Sequence, residues 1–597
     1  MLPKSRFALD RRHFLLSSAA LAATTAARPG YGQTNAPADL IVTNARITTM
    51  DPARPEASAL AARDGVFVAV GDMADVAPFQ GAFTAVIDAG GRRLIPGLND
   101  SHTHGIRGAV NYNMEVRWDA VDSLEEGLHL LRLQADRTPE DQFIRVVGGF
   151  SEHQFKEKRL PTVAELDAVA PNHPVLIHYL YKYTLLNTKA VAYFGYDQPD
   201  HPTYPGGFVE KVGGDPTGRL VADPSGALMY QTLTRAPKLS ISDQINSSLH
   251  YFDELNALGL TSMSDAGGGG MVFPDAEPYQ VIRWLADRGL LTTRIGYHTF
   301  PQIKGQEYAN YDAWTQAWSP QQGDDMLKLV GAGENLCWAS YDYEIFDAPI
   351  PELDADAEEV QTRIMTLLGE RGWPFRQHIT YAESAERLLT VYEDVAQGAG
   401  LADGWFVDHV ETWTPAQLER IAALGGGFAL QNRLQFQAED FARTHGMERL
   451  KTTPNFRAIL DLGMPVGGGT DATRVTSYNP WYSIQWMTTG LSRGGMRMYD
   501  DANLLDREEA LRLWTTGSAW FTGDAGRKGV ITAGQMADFA VLDRDYFAVT
   551  DAEIARLRAL LTAVGGVVVH ATGPFATADL RHVPPVSPDW SPVAMPA

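Results

Sequence analysis

Eight short apolar runs, each closing on polar residues, constrain the fold of this chain more than any other feature. The first ends at His102 and His104; the others span 260–265, 293–298, 326–334, 374–378, 405–409, 427–431 and 464–471. Helical patterns separate them, for instance over 382–396 and 414–424. Strand and helix alternating eight times predicts an α/β fold, a (β/α)8 TIM-like barrel whose active site lies at the C-terminal strand ends. The polar residues fall at those ends.

Outside these runs the text changes character. Residues 39–49, 59–71 and 85–95, and again 528–543 and 565–570, read as short strands broken by turn residues. Between the first and second runs lies a long insertion, about 107–250, with strand-like stretches at 143–149 and 175–181 and a Gly/Pro-rich patch near 198–226. An insertion on the catalytic face is a natural substrate cap.

A net charge of −23 argues against nucleic-acid or anionic-membrane partners, because phosphate recognition needs clustered Lys and Arg. The single cysteine, Cys337, excludes an internal disulfide and a cysteine-rich metal site. At the N-terminus, Asp10-Arg-Arg-His-Phe-Leu-Leu16 precedes a short, mildly apolar run to Ala27. The pattern resembles a twin-arginine signal peptide over residues 1–33, so a periplasmic or secreted protein is expected, with no membrane insertion after processing.

The richest stretch is Pro96-Gly-Leu-Asn-Asp-Ser-His-Thr-His104. Alternate strand residues face the same side, so His102 and His104 can chelate one ion. Imidazole nitrogens suit zinc and its neighbours. His378, His409 and Asp471 close later runs, at positions five, six and eight. Four imidazoles and one carboxylate can hold one or two divalent ions.

The phrase Pro-Gly-x-x-Asp-x-His-x-His, followed in order by His, His and Asp at strand tips, resembles the amidohydrolase superfamily. Length, insertion, Asp408-His409 and Gly469-Thr-Asp471 are similar to its YtcJ-like branch, which includes N-substituted formamide deformylase. The resemblance runs from about 38 to 575. It implies a β-sandwich built from both chain ends (38–95 with 525–580) beside a barrel over 96–524, and small-molecule substrates; barrels of this kind often form homodimers. Asp538 then reads as a turn aspartate of the sandwich. Two departures stand out. Where binuclear members bridge their metals with a carboxylated lysine, Lys328 sits mid-strand and the tip offers Glu334, which is expected to bridge instead. In the insertion, Lys182-Tyr183 stands where relatives often have Gly-His, so Tyr183 is a candidate substrate residue, together with Trp338 of the aromatic group after Glu334.

The chemistry this implies is hydrolysis of an amide-like or ester-like bond by a metal-activated hydroxide. Asp471 would move the proton and His409 would help polarise the scissile carbonyl. No Gly-x-Ser-x-Gly elbow is present, which disfavours a covalent serine mechanism. An aminohydrolase would carry glutamate three residues after His378, where this chain has Tyr381. A non-catalytic barrel would be expected to have lost ligands that are retained here.

Overall fold

The computed structural model describes residues 36–594, apart from 141, 202, 205, 224, 269–271 and 580. The twin-arginine motif lies outside the described residues. The architecture is mixed α/β.

Eight parallel strands carry the centre of the molecule: β1 (Leu98–Thr103), β2 (Leu260–Asp265), β3 (Arg294–Thr299), β4 (Leu327–Ala332), β5 (Arg376–Ile379), β6 (Phe406–His409), β7 (Gly427–Gln431) and β8 (Val466–Gly469). Nearly every residue in them is buried, polar ones included: the first is Leu-Asn-Asp-Ser-His-Thr and the fifth Arg-Gln-His-Ile, so no alternation of an inner and a solvent face marks them. Strands β1 to β4 stand side by side in one parallel sheet, and β5 to β8 in a second. The two sheets touch at both edges. Ala332 makes a parallel bridge to Phe375, and the amides of Thr470 and Asp471 donate to His102 O at 3.0 and 2.8 Å.

That second contact explains an unusual strand. β8 is Val-Gly-Gly-Gly, poor in strand formers, yet a Cβ on Gly468 would lie 2.5 Å from Trp514 Nε1, and one on Gly469 would lie 2.7 Å from the backbone nitrogen of His102. Glycine here admits close approach. Asp100 ties the same seam, its carboxylate accepting from the Thr470 hydroxyl at 2.6 Å and from the His102 amide at 2.9 Å.

The two chain ends form two further sheets. One orders Val66–Gly71, Ala59–Arg63, Leu40–Thr43 and Ala85–Asp88; the other orders Val567–Ala571, Ala559–Val564, Phe539–Leu542, Arg93–Pro96, Arg46–Thr48 and Glu56–Ala57. Leu40, Val42, Leu60 and Phe67 from the first share one apolar cluster with Ile47, Leu94, Phe539 and Leu561 from the second. Each N-terminal run, expected as short strands broken by turns, holds two strands. Asn44 (φ +51°), Asp64 and Gly65 (+51° and +82°), and Gly90 and Gly91 (+63° and +74°) turn the chain where regular strand cannot continue. Only Phe539–Leu542 of the 528–543 run is extended, and Ala559–Val564 is a strand that the expectation missed.

The insertion holds a six-stranded sheet that includes both strand-like stretches; Glu115–Val116, Ile144–Val147 and Val175–Tyr179 form its parallel half. Helix α1 (Gly105–Asn111) leaves β1 for this region, and α2 (Ile241–Ala257) returns from it to β2. A Cβ on Gly108 would fall 3.1 Å from Thr473 and 3.2 Å from Tyr251, so α1 packs closely against both α2 and the loop after β8.

Candidate metal centre

The C-terminal ends of β1, β4, β6 and β8 bring five of the six predicted ligands together. His102 and His104 leave β1 on the same side. Glu334 follows β4 by two residues, His409 is the last residue of β6, and Asp471 follows β8 by two. His102 Nε2 lies 3.0 Å from Glu334 Oε2 and 3.5 Å from Asp471 Oδ1. His104 Nε2 lies 3.2 Å from Asp471 Oδ1 and 3.5 Å from Glu334 Oε1, and His409 Nε2 lies 3.7 Å from Glu334 Oε2. Two donor sets result, His102/Glu334/His409 and His102/His104/Asp471.

These separations suit a metal. Bonds of about 2.0 Å in a tetrahedron put ligand atoms about 3.3 Å apart. The donor atoms are also orphaned: His102 Nε2, Glu334 Oε2 and both ring nitrogens of His409 are buried with no hydrogen-bond partner, whereas buried polar atoms are ordinarily satisfied. The residues present therefore fit a divalent cation.

Two ligands sit in strained backbone. His409 has φ +81° and Asp471 φ +61°, a region non-glycine residues rarely occupy and which costs of order 1 kcal/mol or more. The other ends of the imidazoles are fixed. His102 Nδ1 meets Asp408 Oδ1 at 2.8 Å, and Arg376 grips Asp408 through Nε (2.8 Å) and Nη2 (2.6 Å). His104 Nδ1 meets Gly267 O at 2.6 Å. Each contact leaves Nε2 to face the centre, the usual service of an outer carboxylate or carbonyl to a metal-ligating histidine. Burial alone would raise the Asp408 carboxyl; Arg376 and His102 outweigh it and hold it well below the ordinary carboxylate range. Burial, reinforced by Arg433, pushes the His409 imidazole well below its usual value, so it stays neutral, the ligating form.

The family model described as "Amidohydrolase family" matches residues 85–570. The chain belongs to the amidohydrolase family. It is an enzyme, a metal-dependent hydrolase. Over 555 residues it is 24% identical to N-substituted formamide deformylase of Arthrobacter pascens, covering 89% of this chain and 98% of that one. It is 23% identical to the putative amidohydrolase YtcJ of Bacillus subtilis, covering 82% and 90%. In fold it resembles an uncharacterized metal-dependent hydrolase from Pyrococcus horikoshii, with TM-score 0.62 and 18% identity over 86% of this chain and 99% of that chain.

The sixth predicted ligand of this amidohydrolase, His378, stands apart from both donor sets. Its Nε2 is engaged by Asp342 O at 2.9 Å and by the Thr380 hydroxyl at 3.1 Å; its Nδ1 has no partner. Its ring lies 4.3 Å from that of His409. Burial opposes its protonation, but Asp342 and Glu344 prevail and push it up to about 9. Lys328 is held by Asp524 at 2.7 Å, deep in β4, which leaves Glu334 as the carboxylate at that strand tip.

The two candidate substrate residues part ways. Trp338 starts a file of rings: Tyr341 lies 5.8 Å from it and stacks on His378 at 4.3 Å. Tyr183 instead stacks on Tyr179 and sits between Lys182 and Arg219, at 5.1 and 4.6 Å from its ring centre; none of these is a predicted ligand. Glu383, out of register for a deaminase, pairs with Arg449 at 3.2 Å. Sequence reasoning missed Arg433, the first residue of helix α3 (Arg433–His445). Fully buried, it donates to Glu411 at 2.8 Å and to Thr380 at 3.0 Å, and its unpartnered Nη1 lies 3.8 Å from Asp471 Oδ2 and 3.6 Å from Glu344 Oε2. The polar run Gln431-Asn-Arg433 at the tip of β7 was the available signal.

Proposed function

We propose that the protein hydrolyses a non-peptide amide-like C–N bond in a small molecule, and that its eight parallel strands close into the (β/α)8 barrel beside a β-sandwich of 38–95 and 525–580. The observation that carries the reading is the Glu334 carboxylate standing among His102, His104 and His409. The similarity to N-substituted formamide deformylase supports an amide-like bond.

His102, His104, Glu334, His409 and Asp471 would hold the ions, with zinc first among them and His378 completing the set from beside His409. A divalent cation there supplies Lewis acidity and brings water's ionisation toward neutral pH. The residues do the rest. His102 and His104 keep Asp471 ionised against its burial, so its carboxylate can accept the water proton and pass it to the departing nitrogen. Arg433 Nη1, 3.8 Å from Oδ2, sets a positive charge beside that oxygen. The ring file from Trp338 to His378 walls the substrate's approach. Export by the twin-arginine route, which carries folded cargo, belongs to the same reading.

Two measurements test it on protein lacking residues 1–33. Elemental analysis is expected to find two metal equivalents in wild type and one or fewer in Glu334→Gln; a metal content untouched by the substitution removes Glu334 from the site, and no metal after reconstitution overturns the hydrolase mechanism. Asp471→Asn is expected to lower kcat on an N-formyl amine by about 10²-fold or more, the usual worth of general acid–base catalysis.

A further inference from the structure

The tip of β2 contributes none of the predicted ligands, yet three of them lean on it. Ser264, Asp265 and Ala266 are fully buried. The Ser264 hydroxyl accepts from Arg376 Nη1 at 3.1 Å, the same guanidinium that grips Asp408 behind His102. The Ala266 carbonyl accepts from the Glu334 amide at 3.3 Å, and the Ala266 amide donates to Thr103 O at 2.8 Å. Gly267 O takes the His104 ring at 2.6 Å. A carbonyl can only accept, so Nδ1 of His104 carries the proton and Nε2 is bare toward the centre.

Asp265 holds this arrangement together. Its Oδ2 accepts from the Ile106 amide at 2.8 Å and its Oδ1 from the Gly267 amide at 2.9 Å. Those amides lie on either side of the His104 contact: Ile106 follows the histidine by two residues at the start of α1, and Gly267 bears the carbonyl that the imidazole meets. One carboxylate thus ties the backbone carrying the ring to the backbone carrying its acceptor. Gly267 has φ +70°, and a Cβ there would lie 2.7 Å from His298 O, so the turn that aims its carbonyl needs glycine. With both oxygens taken by amides, Asp265 stands outside the two donor sets. A buried carboxylate is expensive, and what this one secures is the position of an imidazole.

From this geometry we infer that Asp265 is a positioning residue for His104. It fixes the ring so that Nε2 meets the ion of the His102/His104/Asp471 set, and it leaves the His102/Glu334/His409 set untouched. The inference rests on the metal-dependent reading above and divides its two ion positions, because only one of them depends on this carboxylate.

The test is a cobalt(II) titration of metal-stripped protein lacking residues 1–33, followed by the visible absorption of bound cobalt and by equilibrium dialysis. Wild type is expected to fill two positions. Asp265→Asn can still accept from one amide but turns an NH2 group toward the other. It is expected to weaken one position by about 10–100-fold, the usual effect of losing an outer partner of a ligand, with the other unchanged. Asp265→Ser, smaller and able to accept from one amide only, carries the same expectation if the asparagine variant does not fold. The deciding comparison is made in His104→Ala. With the ring gone, Asp265→Asn is expected to change the remaining cobalt affinity by less than about twofold, because losses that act through one residue do not add. Equal weakening of both positions, or the same loss with and without His104, makes Asp265 a general support of the fold and overturns the inference. Two positions unmoved by either substitution overturn it as well, and a single position in wild type overturns the division between the sets. Wild type that binds no cobalt sinks the hydrolase reading itself, so the two failures are distinguishable.

Discussion

Cys337 is the residue whose chemistry most needs excluding, since a lone thiol beside a catalytic loop invites a nucleophile's role. It is fully buried, with Ser340 Oγ at 3.0 Å and Gln361 Oε1 at 3.6 Å, and burial pushes its thiol up to about 11. At pH 8 a group with that value is about 0.1% thiolate, and the thiolate is the reactive form. The folded protein is therefore expected to be inert to a disulfide reagent at pH 8 and to release one equivalent on unfolding; fast reaction of the native chain would reopen a thiol mechanism. The convergence of His102, His104, Glu334, His409 and Asp471 could be read from spacing because each sits at or just past a strand tip, a local position that a run of apolar residues announces. Arg433 and the Arg376–Asp408 pair could not be ranked in the same way. Their importance comes from contacts across strands far apart in sequence, and a buried arginine looks like a surface one until its partners are known. Asp408 was visible only as the neighbour of His409.

At the scale of elements, the eight strands were legible because short runs closing on polar residues alternate with helical patterns, although the strands themselves hold many buried polar side chains. The terminal sheets were harder, since their runs hide turns at Asn44, Asp64 and Gly90. The inserted sheet was harder still: its outer hairpin, Gly207–Val212 with Asp215–Ala222, is mostly half-buried, with only two of its residues buried, and so lacks an apolar signature. Asp538 shows how the elements are held together. Arg294 at the start of β3 grips it through Nε (2.8 Å) and Nη2 (2.9 Å), and its Oδ1 also accepts from the Gly565 amide at 2.7 Å. One side chain thus fastens the C-terminal strands to the parallel sheet, a structural duty consistent with the reading of Asp538 as non-catalytic. Asp538→Asn leaves Arg294 buried without its charge partner, which typically costs about 3–5 kcal/mol. Denaturant unfolding is expected to show a loss of that order with the metal content unchanged. A loss of metal without loss of stability would move Asp538 into the catalytic machinery instead.

At the scale of the whole molecule, the metal centre spans the seam between the two parallel sheets: His102, His104 and Glu334 come from the β1–β4 side, His409 and Asp471 from the β5–β8 side. A bound cation therefore adds a link between halves that also meet through the Ala332–Phe375 bridge, the His102 carbonyl, the Asp100–Thr470 hydrogen bond and the His102–Asp408 contact. Ligands that bind only the folded state stabilise it by mass action, about 2.7 kcal/mol for one ion at a hundredfold excess over its Kd and about twice that for two. Unfolding entropy scales with length, so for 597 residues it is about 1.2 kcal/mol per degree. Chelation is then expected to lower Tm by only about 2–5 °C, and the shift should grow with the logarithm of free metal. The small shift is a consequence of size, and hydrogen exchange resolves what Tm compresses. Removing the metal is expected to reduce protection in β1 and β8 together, on both sides of the seam. Deprotection confined to one sheet would mean that the ions are held by one half alone, and the shared role of His102 in both donor sets would fail with it.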